Sequence, residues 1–449
     1  MPLPRGRASR FDTRAIAVAF MLVAGLAACT RAHGGGDGAA AAPGARAGHP
    51  GNRAPTSEPP AAAPPASGAS GGAPVPLGAA PATTVEDAPA DAALPHPRFP
   101  AIDVHMHIVP GGIERTLALM DRWGIAGGVN LSGMYPGPPR NFLEAQLDEA
   151  RATGGRLVVF ANANFRRVVR DKDYGHKMAE DLVESKRLGA VGLKIPKGLG
   201  LGYPTPDREH LLPVDDPGLD PLFAKAGELG MPIAIHVGDP KAFWKAATPD
   251  NERWDELGAH PEWSFYGQPV PSWEELYAAF ERRVARHPKT KFIAVHFGND
   301  PEDPDRVARM LDKYPNFYID TAARIPEIGR HDAARMRRFF EKYQDRILFG
   351  TDTAVGPTQE DMMYGSNGPL PPTRKDEDRF FRATWRYFET SDKQFESPTP
   401  IQGRWKIDGI GLSDRILRKI YFENAARLLK WRPAAGAAAS SPLRGKAAP

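Results

Sequence analysis

The chain of 449 residues contains a single cysteine, Cys29. No intrachain disulfide can therefore form, and the fold depends on its hydrophobic core. A basic block is also lacking. Removing residues 1–28 takes away four Arg and one Asp, so the rest of the chain carries about +4 − 3 = +1. This near-neutral balance excludes nucleic acid as a partner on electrostatic grounds.

Residues 1–28 have the pattern of an export signal, in which four arginines precede an apolar stretch from Ala15 to Ala28. That stretch is too short to span a membrane comfortably as a permanent helix. It ends in Leu26-Ala27-Ala28-Cys29, which resembles the lipobox cut by the bacterial lipoprotein signal peptidase. We therefore expect lipidation of Cys29 and anchoring to the cell envelope. An uncleaved anchor or an ordinary signal is the alternative, and both also mean export.

Thr30 stands where many inner-membrane lipoproteins have Asp. Its presence favours the outer membrane or the periplasmic face in a Gram-negative cell. The lipid anchor makes the membrane a predicted partner. The sequence does not define an oligomeric state.

Residues 29–98 are rich in Ala, Pro and Gly and contain no Ile, Met, Phe, Tyr or Trp. Such a segment cannot bury enough surface to offset its ordering entropy, and we predict a disordered tether. At roughly 5–6 Å × √n, the tether lets the following domain move about 45 Å from Cys29. Residues 433–449 have a similar composition and are predicted to form a disordered tail.

Residues 99–432 alternate short apolar runs with amphipathic helical stretches, a pattern that predicts eight β-α units and an α/β fold, the (β/α)₈ TIM barrel. The predicted strands are 100–105, 127–132, 157–162, 190–195, 231–236, 291–296, 316–321 and 346–351. The predicted helices are 113–123, 140–153, 175–188, 217–229, 272–287, 303–314, 331–343 and 413–430. A doubly wound sheet is the alternative, but Gly111-Gly112 lacks the spacing of its phosphate-binding turn.

Two connections are much longer than a barrel needs. One runs from Gly238 to Pro271 and the other from Thr353 to Leu412, and both follow strand ends on the catalytic face. We therefore expect loop insertions over the C-terminal face of the barrel, acting as lids or substrate walls. Most of their aromatic residues are expected to form small cores within the insertions, while a few line the pocket.

Four of the strand runs end in residues that bind divalent metals: His105 and His107, His236, His296 and Asp352. Residues two apart on a strand share a face, so His105 and His107 are expected to point into the barrel together. A lone histidine at such a position is more often a satisfied core residue. Several of them, all at predicted strand ends, favour a metal site at the mouth of the barrel.

Asp352 ends the eighth run, where burial of a carboxylate is costly unless it meets a cation. A helix cap is the alternative, but the residues from Thr353 to Pro357 are a poor helix start. Asp103 is expected to support His105 or the floor of the barrel, without a chemical role.

At these residues the chain resembles the amidohydrolase superfamily, specifically the amidohydrolase 2 branch that includes aminocarboxymuconate-semialdehyde decarboxylase. The resemblance covers roughly residues 100–432. It rests on the two histidine strands and on Asp103-Val104-His105-Met106-His107, Gly192-Leu193-Lys194, Gly350-Thr351-Asp352 and the segment from Glu423 to Leu429.

The resemblance implies one divalent metal held by His105, His107, His236 and Asp352, with His296 beside it as an acid/base. Imidazole and carboxylate ligands suit Zn²⁺ best, with Mn²⁺, Fe²⁺ or Co²⁺ as alternatives. One coordination position must stay open for a water, whose pKa the metal lowers. Asp352 can then take the proton of the water, and His296 can polarise the substrate carbonyl or stabilise the developing oxyanion.

Two cations are further candidates. Lys194 could be carboxylated to bridge a second metal, as in some superfamily members, or bind a substrate carboxylate, or extend to solvent. Arg324 follows the seventh strand and could reach an anionic substrate group or form a surface ion pair.

The leading functional prediction is a metal-dependent hydrolase that cleaves an amide, ester or lactone-like bond of a small molecule. The alternative is a metal-dependent decarboxylase, which needs a cation placed for the substrate carboxylate. A third hypothesis is a surface lipoprotein that retains the barrel only for binding. It is disfavoured because all five metal-site positions hold competent residues.

Overall fold

A computed structural model of the protein describes residues 96–137 and 141–434. The predicted signal, almost the whole tether and all but the first two residues of the predicted tail lie outside the described residues. In the described part of the chain, no helix is both long and apolar enough to cross a membrane.

Eight parallel strands form the barrel, and each contains or closely overlaps one of the predicted apolar runs. The strands are β1 (Ala101–Ile108), β2 (Ile125–Asn130), β3 (Leu157–Asn162), β4 (Gly192–Ile195), β5 (Ile233–Ile235), β6 (Phe292–Ala294), β7 (Phe317–Asp320) and β8 (Ile347–Leu348). They pair in sequence order from β1 to β8. The predicted (β/α)₈ fold is confirmed.

The barrel closes between β8 and β1 through two backbone hydrogen bonds. The amide of Val104 donates to the carbonyl of Phe349 at 3.0 Å, and the amide of Asp352 donates to the carbonyl of His105 at 2.8 Å. Two further strands, β9 (Thr353–Val355) and β10 (Met363–Tyr364), extend the sheet beyond β1. The closure therefore brings Asp352 directly beside the histidine strand.

The helices between the strands follow the predicted amphipathic stretches to within a few residues. They are α1 (Ile113–Trp123), α2 (Phe142–Ala152), α3 (Tyr174–Leu188), α4 (Asp220–Leu229), α5 (Trp254–Ala259), α6 (Trp273–Arg286), α7 (Pro304–Lys313), α8 (Ile325–Gly329), α9 (Ala333–Lys342), α10 (Arg374–Glu389), α11 (Asp414–Arg418) and α12 (Asn424–Leu429). The sequence pattern does not predict helices α5, α8 and α10. Helices α5 and α10 lie in the long insertions, and α8 is a short helix after β7.

The predicted helix 413–430 is interrupted. A π-helical segment, Lys419–Glu423, separates α11 from α12. In this segment the carbonyl of Ile420 accepts a hydrogen bond from the amide of Phe349 at 3.1 Å. The interruption lets a helix residue bond the end of β8, which a continuous α-helix would not permit because its carbonyls are used internally.

The barrel has two apolar regions. The larger one lies between the strands and the surrounding helices, whereas a smaller cluster joins inward residues of the strands, such as Ile102, Phe160 and Leu348, to helix α12. Beyond α12, the indole of Trp431 donates to the carbonyl of Gly155, just before β3. The C-terminal segment thus covers the N-terminal end of the barrel and leaves the opposite end for the site.

The two insertions contact each other. The Nε2 atom of His260 lies 2.8 Å from the carbonyl of Asn367, and Arg404 pairs with Asp255. Helix α10 in the second insertion buries Phe381 against Trp123, with ring centroids 4.8 Å apart. Most of its aromatic residues therefore belong to the main core of the barrel rather than to a small core within the insertion, which corrects that expectation.

Candidate metal centre

Asp352 lies at the centre of the ionisable cluster. Its Oδ1 atom is 3.3 Å from Nε2 of His105 and 3.3 Å from Nε2 of His107. Burial by itself would raise the pKa of Asp352, but the two imidazoles and Lys194 outweigh burial and hold it well below its usual range. Asp352 is therefore an ionised carboxylate that faces two imidazole nitrogens.

His105 is oriented by a residue that the sequence analysis did not single out. Its Nδ1 lies 2.9 Å from Oδ2 of Asp320, and both side chains are fully buried. Because a carboxylate only accepts hydrogen bonds, we assign the proton to Nδ1, which leaves Nε2 of His105 with a lone pair. Asp320 ends β7, and an acidic residue closing an apolar strand was the signal that could have identified it.

His107 and His296 follow the same pattern. The Nδ1 atom of His107 lies 2.8 Å from Oγ of Ser132, and that of His296 lies 3.0 Å from the carbonyl of Ala322. In both rings Nε2 is left to face the cluster. Burial lowers the pKa of each ring, and His296 is held well below its usual value, so it is neutral.

The neutral tautomer of His296 refines its expected role. With Nδ1–H donating to Ala322, its Nε2 accepts hydrogen bonds or binds a metal. The ring can donate to a substrate carbonyl only after it takes up a proton, which burial opposes. The geometry therefore suits a base or a ligand better than a group that polarises a carbonyl.

His236 is held differently. Its Nε2 lies 3.1 Å from the carbonyl of Gly238 and 3.5 Å from Oδ1 of Asp239, so this ring exposes Nδ1 instead. Asp239 also pairs with Lys197 at 2.5 Å. Burial lowers the pKa of His236 to about 4. Asp239 and Lys197 are further residues that the sequence analysis missed, although Asp239 follows His236 by only three positions.

The four imidazoles form a continuous row. Ring centroids are 5.3 Å apart for His107 and His105, 4.9 Å for His105 and His296, and 4.3 Å for His296 and His236. The tightest group of ligand atoms consists of His105, His296 and Asp352, within 4.8 Å of one another. The structure thus brings all five predicted residues into one cluster, with His296 inside its closest group and His236 at its far end.

Unusual backbone conformations position the side chains of His296 and Asp352. His296 and Asp352 have φ of 55° and 63°, in the left-handed region that is costly for residues with a Cβ atom. Asp103 supports the second of these turns, since it accepts hydrogen bonds from the hydroxyl and the amide of Thr351 at 2.5 and 3.1 Å. Asp103 also accepts from the amide of His105, which agrees with the supporting role expected for it.

The donor set fits a divalent metal. The Nε2 atom of His105 is buried and has no hydrogen-bond partner among the described residues, and it faces an ionised carboxylate. Imidazoles that have one ring nitrogen held by a hydrogen bond and the other free, together with a carboxylate, form the arrangement that transition metals such as Zn²⁺ prefer.

Lys194 points into the same cluster from β4, where it pairs with Asn162 on one side and Ala234 on the other. Its side chain is only 3% exposed, and in the described residues its Nζ has no hydrogen-bond partner. Burial lowers the pKa of Lys194 to about 8. Its charge acts on His107, His236, His296 and Asp352, which places it among the site residues and excludes the alternative of extending to solvent.

Arg324 is also buried, so the alternative of a surface ion pair is wrong. One guanidinium nitrogen donates to the carbonyl of Ala323 at 2.9 Å. The side chain lines a small cavity together with Thr321, Thr351 and Phe380, and its charge lowers the pKa of His296. Arg324 thus approaches the cluster from the turn that follows β7.

The family of the chain follows from its sequence as well as this geometry. The amidohydrolase family model matches residues 102–431, which is the whole barrel. The protein therefore belongs to the amidohydrolase family, whose members are metal-dependent enzymes acting on small molecules.

Solved structures with low sequence identity resemble the chain. A 2,6-dihydroxybenzoate decarboxylase from Rhizobium is 17% identical, with 74% of this chain and 99% of that chain covered and a TM-score of 0.42. A dihydroorotase from Campylobacter jejuni is 12% identical, with 74% and 84% covered and a TM-score of 0.41. A manganese-bound 5-carboxyvanillate decarboxylase from Novosphingobium aromaticivorans is 14% identical, with 74% and 97% covered and a TM-score of 0.39. No curated protein matches the chain.

Proposed function

We propose that the protein is a metal-dependent hydrolase that cleaves an amide, ester or lactone-like bond of a small molecule. The observation that carries this proposal is the ionised Asp352, which faces Nε2 of both His105 and His107 at 3.3 Å. An ionised carboxylate at the metal ligands is the base that hydrolysis needs to accept a proton from water.

In this proposal His105, His107, His236 and Asp352 hold one divalent metal, with Zn²⁺ as the leading candidate. Such a metal supplies an activated water at neutral pH. With the metal bound, Asp352 would accept the proton of the water and pass it to the leaving group. His296, neutral and with its Nε2 lone pair in the cluster, would accept a hydrogen bond from the attacking water while Asp352 takes the proton.

Alanine variants of His236 and His296 test the assignment. His236→Ala is expected to lose both metal and turnover, whereas His296→Ala is expected to keep the metal and lose turnover. Metal content by mass spectrometry and turnover on a panel of small amides, esters and lactones are the two readouts. An equal loss of metal from His296→Ala would show that His296 is a ligand. The position of His296 in the closest group of ligand atoms is consistent with that outcome.

Decarboxylation is a second candidate, and Lys194 supports it. A decarboxylase needs a cation for the carboxylate that leaves, and the unpartnered Nζ of Lys194 points into the metal cluster. The same panel, extended to small carboxylic acids, separates the two reactions. Released CO₂ identifies decarboxylation, whereas one atom of ¹⁸O taken up from labelled water identifies hydrolysis.

We also propose that residues 1–28 direct export and that a lipid on Cys29 anchors the enzyme domain through the tether of residues 29–98. The single cysteine in a lipobox-like sequence supports this location. Cys29→Ala is expected to move the protein from the membrane fraction to the soluble fraction with its activity intact. Retention of the variant on membranes would contradict the anchor.

A further inference from the structure

Lys194 is a buried cation of the site, and its Nζ has no hydrogen-bond partner among the described residues. Its side chain is 3% exposed, and no carboxylate of the described residues lies within ion-pair distance of its Nζ. An unpaired buried ammonium is costly, because it has lost its hydration and gained no hydrogen bond in return. Such a group is retained where something else binds it.

The neighbouring carboxylates already have other partners. Asp352 lies between His105 and His107, and Asp320 bonds Nδ1 of His105 and the amide of His296. Asp239 pairs with Lys197. A divalent metal at the cluster would add positive charge to the same small volume. The site is therefore short of negative charge at Lys194, and an anionic ligand would supply it.

We propose that Lys194 binds a carboxylate group of the substrate, so that the enzyme acts on small molecules with a carboxylate next to the reacting bond. This inference rests on the proposed function, because it takes the metal cluster as the reacting centre. It holds for both candidate reactions: the bound carboxylate stays on the product in hydrolysis and leaves as CO₂ in decarboxylation.

The chemistry of a single lysine favours a carboxylate over a phosphate. Phosphate sites commonly combine several donors, from arginine forks or from helix N-termini, to match the higher charge. Lys194 offers one ammonium on a strand between Asn162 and Ala234. One compact positive charge is matched by one monoanion.

Binding of matched acid and amide probes to the zinc-loaded protein tests this proposal. The probes are benzoate with benzamide and hexanoate with hexanamide, which differ in charge and little in shape. Affinities by calorimetry are expected to favour each carboxylate over its amide by about tenfold or more, the scale of a hydrogen bond to a charged group. Lys194→Met is expected to abolish this preference while amide binding stays the same.

The matched control is Lys225→Met, since Lys225 is a surface lysine that pairs with Glu228 in helix α4. It is expected to keep the full preference for carboxylates. A Lys194→Met protein that keeps the preference would overturn the proposal and direct attention to the metal or to Arg324. Equal affinity of the wild type for acids and amides would overturn it as well.

Metal content distinguishes the remaining alternative. Lys194→Met is expected to bind as much zinc as the wild type. Loss of one equivalent would show instead that a carboxylated Lys194 bridges a second metal, which also overturns the proposal. If the wild type prefers carboxylates but holds no metal and turns over no substrate, the proposed function fails while Lys194 remains an anion site.

Discussion

The barrel mouth and the first insertion each contain a buried cation, and the two differ in whether a carboxylate pairs with the cation. In the insertion, Arg253 is 0% exposed and pairs with Glu256 at 2.7 Å and with Glu327 of helix α8, both of which are buried. At the mouth, Lys194 is 3% exposed and has no partner in the described part of the chain.

The presence or absence of an ion pair distinguishes a cation that stabilises the fold from one that is proposed to bind a ligand. Arg253 ties the insertion that follows β5 to the helix that follows β7, and its charge is used within the fold. Lys194 has no hydrogen-bond partner among the described residues, and the attraction of the nearby Asp352 and Asp320 offsets only part of its lost hydration. The presence of an internal partner, rather than burial, distinguishes the two roles, and three predictions test this comparison.

The largest effect is expected from Arg253→Met. The change leaves the carboxylates of Glu256 and Glu327 buried without their cation, which costs about 3–5 kcal/mol of unfolding free energy. Chemical denaturation of the full chain measures the loss. Arg404→Met is the control, since Arg404 forms an exposed pair with Asp255 whose removal should cost about 1 kcal/mol or less. Similar losses of unfolding free energy in both variants would show that burial of the ion pair does not affect its contribution to stability.

A smaller effect, on metal rather than on folding, is expected from Asp320→Asn at the mouth. Asn has the same size as Asp, but its neutral amide is a weaker partner for the Nδ1 proton of His105 than a carboxylate. The affinity for the metal should therefore fall about 10–100-fold. Competition with a chelator of known affinity measures the change. Unchanged affinity would mean that the backbone alone orients His105. Asp312→Asn, at an exposed pair with Lys342, serves as the control.

The smallest effect is expected from Lys194→Met, and its sign is opposite to that of Arg253→Met. Removal of an unpartnered buried ammonium should stabilise the metal-free protein by about 1–2 kcal/mol near pH 7. Denaturation of both proteins at pH 7 and at pH 9.5 measures the gain and its pH dependence. A destabilised variant would contradict the comparison.

The pH dependence follows from the pKa of Lys194, which burial lowers from 10.5 to about 8. Between these values the unfolded chain binds more protons than the folded chain, so the stability of the wild type rises with pH. The advantage of Lys194→Met should therefore be fully present below pH 8 and shrink as the pH rises toward 10.5. An advantage that is the same at both pH values would exclude the ammonium as its cause.

Much of the fold could be predicted from the sequence, because parallel strands buried on both sides are continuous apolar runs. The run that ends in His105 and His107 and the run that ends in His236 both correspond to observed strands. The interruption of the helix at Lys419–Glu423 could not be predicted, since it arises from a hydrogen bond to Phe349, about 70 residues away in sequence.

The candidate ligands could likewise be recognised from their residue types and their positions at strand ends. Their supporting residues could not. Asp320 was visible only as part of the strand run Ile319-Asp320-Thr321, and its contact with His105 joins residues 215 positions apart. The burial of Arg324 could not be predicted either, because the small cavity that it lines is formed in part by Phe380 of the second insertion.

The sequence by itself predicted the barrel, the candidate metal ligands at the strand ends and the lipobox-like segment at Cys29, because each prediction depends on local pattern. Tertiary structure decided which nitrogen each imidazole presents, which carboxylates are paired, and that Lys194 has no hydrogen-bond partner in the described part of the chain. Those properties depend on distances between strands that are far apart in the chain, and hydrogen bonds and charges act through such distances rather than along the sequence.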